Sequence, residues 1–419
     1  MCSSDLPLGK WLIAIGEQLF GDNSLGWRVP SAVAGALAVV VLTRLARRLT
    51  GSTLLGLVAG LLLALDGFSF SLGRIGLLDV FLQVFVVSAV ACLVVDRDST
   101  RARIADGAER MTDRVARTGF RLGPRGWRIA AGVLFGCACS VKWSGVWFLA
   151  FFALLSLFWD RSAWRDAGVR RPTRIVLRRG VPGATWALAA LPVLTYLASF
   201  TGWFRGESAQ DRFWAAQHPD TKWPWVPDAL RSLWHMHAKW LAFHDSLSSP
   251  HPWQSNPWSW LVDGRPILLW NPQGLEDAGG DQVILYILMV GTPTLWFAFV
   301  PALLWMVWRL VARRDQAALI VLGALVAGWA TWLVNLERTM FIFYIAPALP
   351  FFVLAVTLVL QDVLGGRDGS LFRRQLGLGA VCLYVAVVAV TFVFFYPILA
   401  GQPLSYPEWI QRMWFPSWF

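Results

Sequence analysis

The sequence predicts an all-α polytopic membrane protein with about ten transmembrane helices and one large extracytoplasmic loop. Of its 419 residues, 56% are hydrophobic and 15% charged, against about 25% charged in an ordinary soluble domain. Mean hydropathy is +0.52. Several apolar stretches exceed the roughly 18 residues that mark a candidate bilayer span. A soluble chain of this length could not hide so much apolar surface in one core.

The expected spans are 26–48, 53–72, 77–96, 129–143, 144–160, 181–204, 282–310, 317–335, 341–361 and 376–399. Basic residues follow alternate spans. Arg44, Arg47 and Arg48 close the first, and Arg97, Arg101 and Arg103 the third, with further arginines up to Arg128. Seven arginines from Arg161 to Arg179 follow the fifth span. Arg309, Arg313 and Arg314 end the seventh, and Arg367, Arg373 and Arg374 follow the ninth. Under strict alternation all five basic loops share one side, which the positive-inside rule places in the cytoplasm. The net charge of +11 thus belongs to membrane topology rather than to nucleic-acid binding. The division at 143/144 is needed for this alternation, since 129–160 also reads as one long tilted helix. Cys92, Cys137, Cys139 and Cys382 lie in apolar stretches, and with Cys2 they form no zinc or disulfide spacing.

The unusual residues collect outside. The loop 205–281 holds all five histidines and many tryptophans. Interfacial tryptophan is ordinary, but this density also suits a surface that grips sugar, lipid headgroup or peptide. The histidines do not suggest metal, because the i, i+2 pair His235/His237 does not share a helical face. Residues 7–25 are expected to carry an extracytoplasmic amphipathic helix. The chain then divides into transmembrane regions 26–204 and 282–399 around the loop, with an outer tail 400–419. Residues 1–6 are hypothesised to be a non-native leader, because Cys2-Ser3-Ser4-Asp5-Leu6 matches what the end of a common sequencing adaptor encodes. Native in-frame sequence upstream with those residues unchanged would sink that idea.

Charged residues near spans are costly and usually have a partner or a task. Lys10, Arg28, Arg74, Asp79, Lys142, Glu337 and Arg338 all fall at the outer face. Singly, each reads as an interfacial anchor or ion-pair member. Together they place several cations and a few carboxylates on one face. That set suits sugar transfer from a lipid phosphate. Cations would hold the phosphate as charge grows on the leaving group, and a carboxylate would take the acceptor's proton. No Walker motif, GxGxxG fingerprint or HExxH is present. Arg28, Lys142 and Arg338 are the leading candidates for the donor phosphate, with Lys10 and Arg74 behind them. Asp79 and Glu337 are the acidic candidates for catalysis. Asp79 is expected to orient the acceptor or pair with Arg74, and Glu337 to pair with Arg338 or another cation. His251, Gln254, Asn256 and Trp258 lie in a Pro- and Trp-rich stretch that suits an acceptor or sugar groove, or else a rigid loop cap.

With these residues in place, the chain resembles the protein O-mannosyltransferase family in its actinobacterial form, over nearly its whole length from Pro7. Pro7-Leu8-Gly9-Lys10-Trp11-Leu12 resembles the end of the family's His-Pro-Pro-Leu-Gly-Lys segment, with its His and first Pro replaced. Gly26-Trp27-Arg28, Leu65-Asp66-Gly67, Arg74-Ile75-Gly76-Leu77-Leu78-Asp79 and Val141-Lys142-Trp143-Ser144-Gly145 follow in the family's order. So do Pro250-His251-Pro252-Trp253-Gln254-Ser255-Asn256-Pro257-Trp258-Ser259-Trp260, Glu337-Arg338-Thr339-Met340-Phe341 and Met413-Trp414-Phe415-Pro416-Ser417-Trp418. The resemblance implies a GT-C type bundle, with about eleven spans in the intact protein. It implies inverting, metal-independent transfer of mannose from polyprenyl-phosphate-mannose to Ser or Thr hydroxyls of secreted proteins, with no cofactor, at the plasma membrane and beside the secretion channel.

One departure stands out. The family's catalytic Asp-Glu pair lies in a first outer loop upstream of the His-Pro-Pro segment, and the chain as written starts after it. This exact chain is therefore expected to fold poorly or be inactive, and its full-length parent to be active. Detectable mannosyl transfer by the chain as written would refute that. Three other readings compete. A transporter should show repeats and mid-membrane charges. A lipid A or arabinan glycosyltransferase of the same class would use a glycolipid acceptor. The chain as written could also serve as a non-catalytic scaffold.

Overall fold

The computed structural model describes residues 6–109, 119–219, 223–272, 283–366 and 370–419. Positions 1–5 of the expected leader lie outside the described residues. Among the described residues eight helices are long and apolar enough to cross a membrane: Ser24–Thr50, Asp79–Ala108, Gly145–Asp166, Pro172–Ser199, Pro293–Arg313, Gln316–Leu333, Ile342–Leu364 and Leu371–Ala400. Two shorter apolar helices, Thr53–Ala64 and Gly126–Val141, occupy the remaining expected spans. The Asp79–Ala108 and Ile342–Leu364 helices form the centre of the bundle, and Leu371–Ala400 and Pro172–Ser199 lie at its edge.

The helix ends follow from local chemistry. Asn23 caps Ser24–Thr50, its Oδ1 accepting from the Leu25 and Gly26 amides at 2.9 and 3.1 Å, which satisfies two of the donors left unpaired in a first turn. Gly51, at φ 66°, ends that helix after Arg47 and Arg48 in its last turn, where the cations complement the carbonyl end of the dipole. The Pro7–Phe20 helix packs against it so closely that a Cβ at Gly16 would overlap the Gly26 carbonyl. Its other face leaves Trp11, Ile15 and Leu19 exposed, as a helix lying on a membrane surface requires.

Two expected spans are corrected, and the expected division near 143/144 is met. The span 53–72 is broken after Ala64, and Asp66 caps a separate helix Gly67–Leu72 by accepting from the Ser69 amide at 2.9 Å. The span 282–310 begins as a helix only at Pro293. Before it, Ile287–Met289 forms a strand antiparallel to Ile267–Trp270, since the extended backbone here is hydrogen-bonded to the loop and not to itself. The stretch 129–160 is not one helix. It stops at Val141, Lys142 is extended (φ −150°, ψ 143°), and a new helix starts at Gly145. The break fixes where Lys142 sits.

The long loop is ordered by its own helix, Asp228–Asp245, and by the tail. Ile284 pairs with Leu404, the Trp418 indole donates to the Asp263 carbonyl at 2.9 Å, and Arg265 donates to the Ser417 carbonyl at 2.8 Å.

Candidate active site

Asp79 is the first residue of the central helix. It is almost fully buried and forms an ion pair with Lys142 at 2.6 Å. This corrects the expected pairing with Arg74. The Arg74 guanidinium turns to the Leu399 carbonyl at 3.4 Å and lies over Phe70. Arg74 stands five positions before Asp79 in sequence, but it sits in the turn ahead of the helix and faces Leu399 and Phe70.

The Lys142 ammonium also lies 5.3 Å from the ring centres of Phe343 and Tyr344. Tyr344 is shared. The Arg338 guanidinium lies 5.7 Å from its ring and 5.7 Å from that of Trp332, and those two rings stack at 4.5 Å. Two cations from distant segments thus converge on one aromatic wall. Arg338 Nη2 lies 3.5 Å from His244 Nδ1, and its Nε is buried without a hydrogen bond. Arg338 thus keeps a buried donor for an anion. Glu337 is exposed and forms no ion pair among the described residues, so the expected pair with Arg338 is absent.

The aromatic loop is tied to the same place. The Thr339 amide donates to the Leu247 carbonyl at 3.0 Å, and the Ser255 amide to the Met340 carbonyl at 2.8 Å. The Trp260 indole, fully buried, donates to Ser255 Oγ at 2.8 Å. These bonds set His251 edge-on to Phe341 at 5.0 Å. His251 and Gln254 are exposed and bonded to each other locally, the His251 amide donating to Gln254 Oε1 at 3.2 Å. Asn256 and Trp258 are exposed as well. Lys10 is half-buried on its helix. Arg28 is exposed and stacks on its neighbour Trp27 at 4.6 Å, outside the cluster around Tyr344. Among the described residues no group of three His, Cys, Asp or Glu could hold a metal ion.

Sequence reasoning missed a relay on the far side of Lys142. The Trp143 indole donates to Tyr196 Oη at 3.0 Å. Tyr196 Oη meets His237 Nε2 at 2.5 Å, and His237 Nδ1 meets the Leu233 carbonyl at 2.7 Å. A carbonyl only accepts, so Nδ1 carries a proton, and in the neutral imidazole Nε2 accepts from Tyr196. Burial holds His237 below its usual value, against the opposing pull of the Leu233 carbonyl. His237, Trp240 and His244 are spaced i, i+3, i+7 and share one face of the loop helix, a signal that could have found them. Trp143 touches both histidine rings. Asp263 was missed too. It is buried, its Oδ2 accepts from the Gly291 amide at 2.6 Å, and burial, with the nearby Asp66, pushes its carboxyl well above the usual range.

A pH dependence follows from His237. As pH falls below about 6.5, the unfolded or undocked imidazole takes up a proton before the docked one, so docking weakens toward acid. His237→Phe removes this term and one hydrogen bond. It is expected to lower stability at pH 7.5 by about 1 kcal/mol and to flatten the loss between pH 7 and 5.5, measured by thermal denaturation. An unchanged pH slope in the variant would rule the relay out as its source.

Comparison with known proteins agrees in order and extent. The sequence model of the family described as dolichyl-phosphate-mannose-protein mannosyltransferase matches residues 6–204, and that of the C-terminal four-transmembrane region of protein-O-mannosyltransferase matches residues 229–418. The chain is 44% identical to a polyprenol-phosphate-mannose–protein mannosyltransferase of Mycolicibacterium smegmatis, over 98% of this chain and 81% of that protein. It is 35% identical to one from Corynebacterium glutamicum, over 98% and 81%. In fold it matches a subunit of the S. cerevisiae protein O-mannosyltransferase complex bound to its sugar donor, with a TM-score of 0.76 at 14% identity, covering 100% of this chain and 86% of that one.

Proposed function

The chain belongs to the dolichyl-phosphate-mannose–protein mannosyltransferase family, and on that premise we propose that it moves mannose from polyprenyl-phosphate-mannose to Ser or Thr hydroxyls of secreted proteins, with inversion and without metal. The observation that carries the reading is the convergence of Lys142 and Arg338 on Tyr344. The bond between the sugar and the phosphate breaks with negative charge growing on phosphate, and two positioned cations stabilise that charge more than they stabilise the bound donor. Asp79 fixes the position of the Lys142 ammonium through their ion pair. The nearly complete burial of Asp79 and its bond to Lys142 make it a positioning residue more than a base. The stretch His251–Trp258 lies beside Arg338 and suits the acceptor peptide. The basic loops belong to the cytoplasm, the Lys142 face to the outside of the plasma membrane, and the secretion channel is the source of acceptors.

The test uses proteoliposomes of the full-length protein, polyprenyl-phosphate-[³H]mannose and a Thr-rich secreted peptide. Mannosyl peptide is the expected product. Label appearing only in a glycolipid added as competitor would replace the peptide reading with a lipid acceptor.

A further inference from the structure

At the arginine-rich end of the bundle lies a second built site. It is about 24 Å from Lys142, the length of the 16-residue Gly126–Val141 helix between them. Arg125 donates to Asp96 and Asp160, with bonds of 2.5–3.0 Å. Arg128, fully buried, donates to the same two carboxylates at 3.0–3.2 Å. Two guanidiniums and two carboxylates thus neutralise one another and form a rigid wall. Beside it opens a cavity of about 650 Å³ lined also by Arg121, Arg179, Trp164, Trp186 and Ile129. The side chains of Arg121 and Arg179 are exposed and make no ion pair or hydrogen bond among the described residues. The lining therefore carries two positive charges beyond its neutralised quartet.

The cavity is held open by its backbone. Arg103 donates to the Leu122 and Pro124 carbonyls at 2.9 and 3.0 Å, which fixes the segment carrying Arg121. Phe120 packs edge-on to Trp164 at 5.0 Å. The opposite wall is wound as π-helix over Val176–Gly180 and Trp186–Ala190, and Gly183 between them faces open space. Such widened turns are rare and frequently occur at functional sites. The lining is partly apolar and exposed, with Ile129 and Trp186 both above 40% accessible.

We propose that this cavity binds the phosphate headgroup of an anionic membrane lipid, with Arg121 and Arg179 gripping the phosphate and the acyl chains lying along Ile129 and Trp186. A free phosphate would gain nothing from the apolar lining, whereas basic pockets between spans at the cytoplasmic side recognise lipid headgroups. The ordinary alternative is that Arg121 and Arg179 only set topology.

The test is native mass spectrometry of the full-length protein with dioleoyl phosphatidylglycerol, dioleoyl phosphatidylcholine or inorganic phosphate. Arg121→Gln/Arg179→Gln leaves the buried quartet untouched. Each lost contact of this kind is worth roughly fivefold, so the double variant is expected to bind phosphatidylglycerol about 10- to 30-fold more weakly. Arg174→Gln/Arg178→Gln removes equal charge beside Arg179 but outside the cavity and is expected to bind as the wild type does. Equal losses in the two variants, no loss in either, or inorganic phosphate competing as well as the phospholipid would overturn the proposal. The first outcome would assign binding to diffuse surface charge, the second would leave the arginines as topology signals, and the third would make the ligand a soluble anion.

Discussion

Lys142→Met is expected to slow mannosyl transfer by about 10²- to 10³-fold, the usual effect of removing one group that faces charge developing in a transition state. Methionine keeps the length and apolar stem that pack on Phe343 and Tyr344 and removes only the ammonium. The loss is expected mainly in kcat, because donor and transition state differ in phosphate charge while the prenyl chain binds both alike. Lysine 142 also neutralises Asp79, so a companion variant separates the two effects. Asp79→Asn keeps an oxygen facing the Lys142 side chain at the site of the present 2.6 Å contact and removes only the carboxylate charge. It is expected to lose much less activity, while Lys142→Met stays deep. If Lys142→Met retained activity within about threefold of wild type, well short of the loss expected of a transition-state contact, Lys142 would be a structural cation and Arg338 would have to hold the donor alone.

The ease of reading the bundle and the difficulty of reading its site have one physical origin. Apolar stretches and the arginines that follow them act over a few residues, so spans such as Ser24–Thr50 and Leu371–Ala400 are visible in the chain. The break at Lys142 was legible because alternation of the basic loops required a turn there. Ion-pair partners are not local. Asp79 and Lys142 stand 63 positions apart, and Arg338 reaches Tyr344 through a turn whose shape depends on the Leu247 and Met340 carbonyls. Proximity in sequence therefore suggested Arg74 for Asp79 and Arg338 for Glu337, and the fold makes neither pair. The strand Ile287–Met289 was hidden for a related reason. It is apolar enough to continue a span, and only its partner strand and the tail draw it out. The i, i+3, i+7 spacing of His237, Trp240 and His244 was local and could have been read, but what it faces could not.

Asp96→Ala is expected to be the most destabilising single change at the arginine-rich end, costing about 3–5 kcal/mol, because breaking a buried ion pair leaves its partner charge uncompensated. Arg128 is the charge at issue. It is 2% exposed, and its Nε donates to Asp96 Oδ2 at 3.2 Å, so Asp160 alone would have to serve both Arg125 and Arg128. Solvation of a buried guanidinium weighs more than attraction within the quartet, and this gives the prediction a direction that a simple count of bonds would miss. Removing the second charge should help. In Asp96→Leu/Arg128→Met the charges go together and the apolar replacements fill their volume, so the double variant is expected to be more stable than Asp96→Ala despite carrying one more substitution. Thermal unfolding followed by size-exclusion chromatography in detergent ranks the three proteins. An Asp96→Ala protein as stable as wild type would mean that water or lipid already solvates Arg128. A double variant less stable than the single one would mean that the quartet holds the helices together by attraction and not by satisfying charges the fold has already buried.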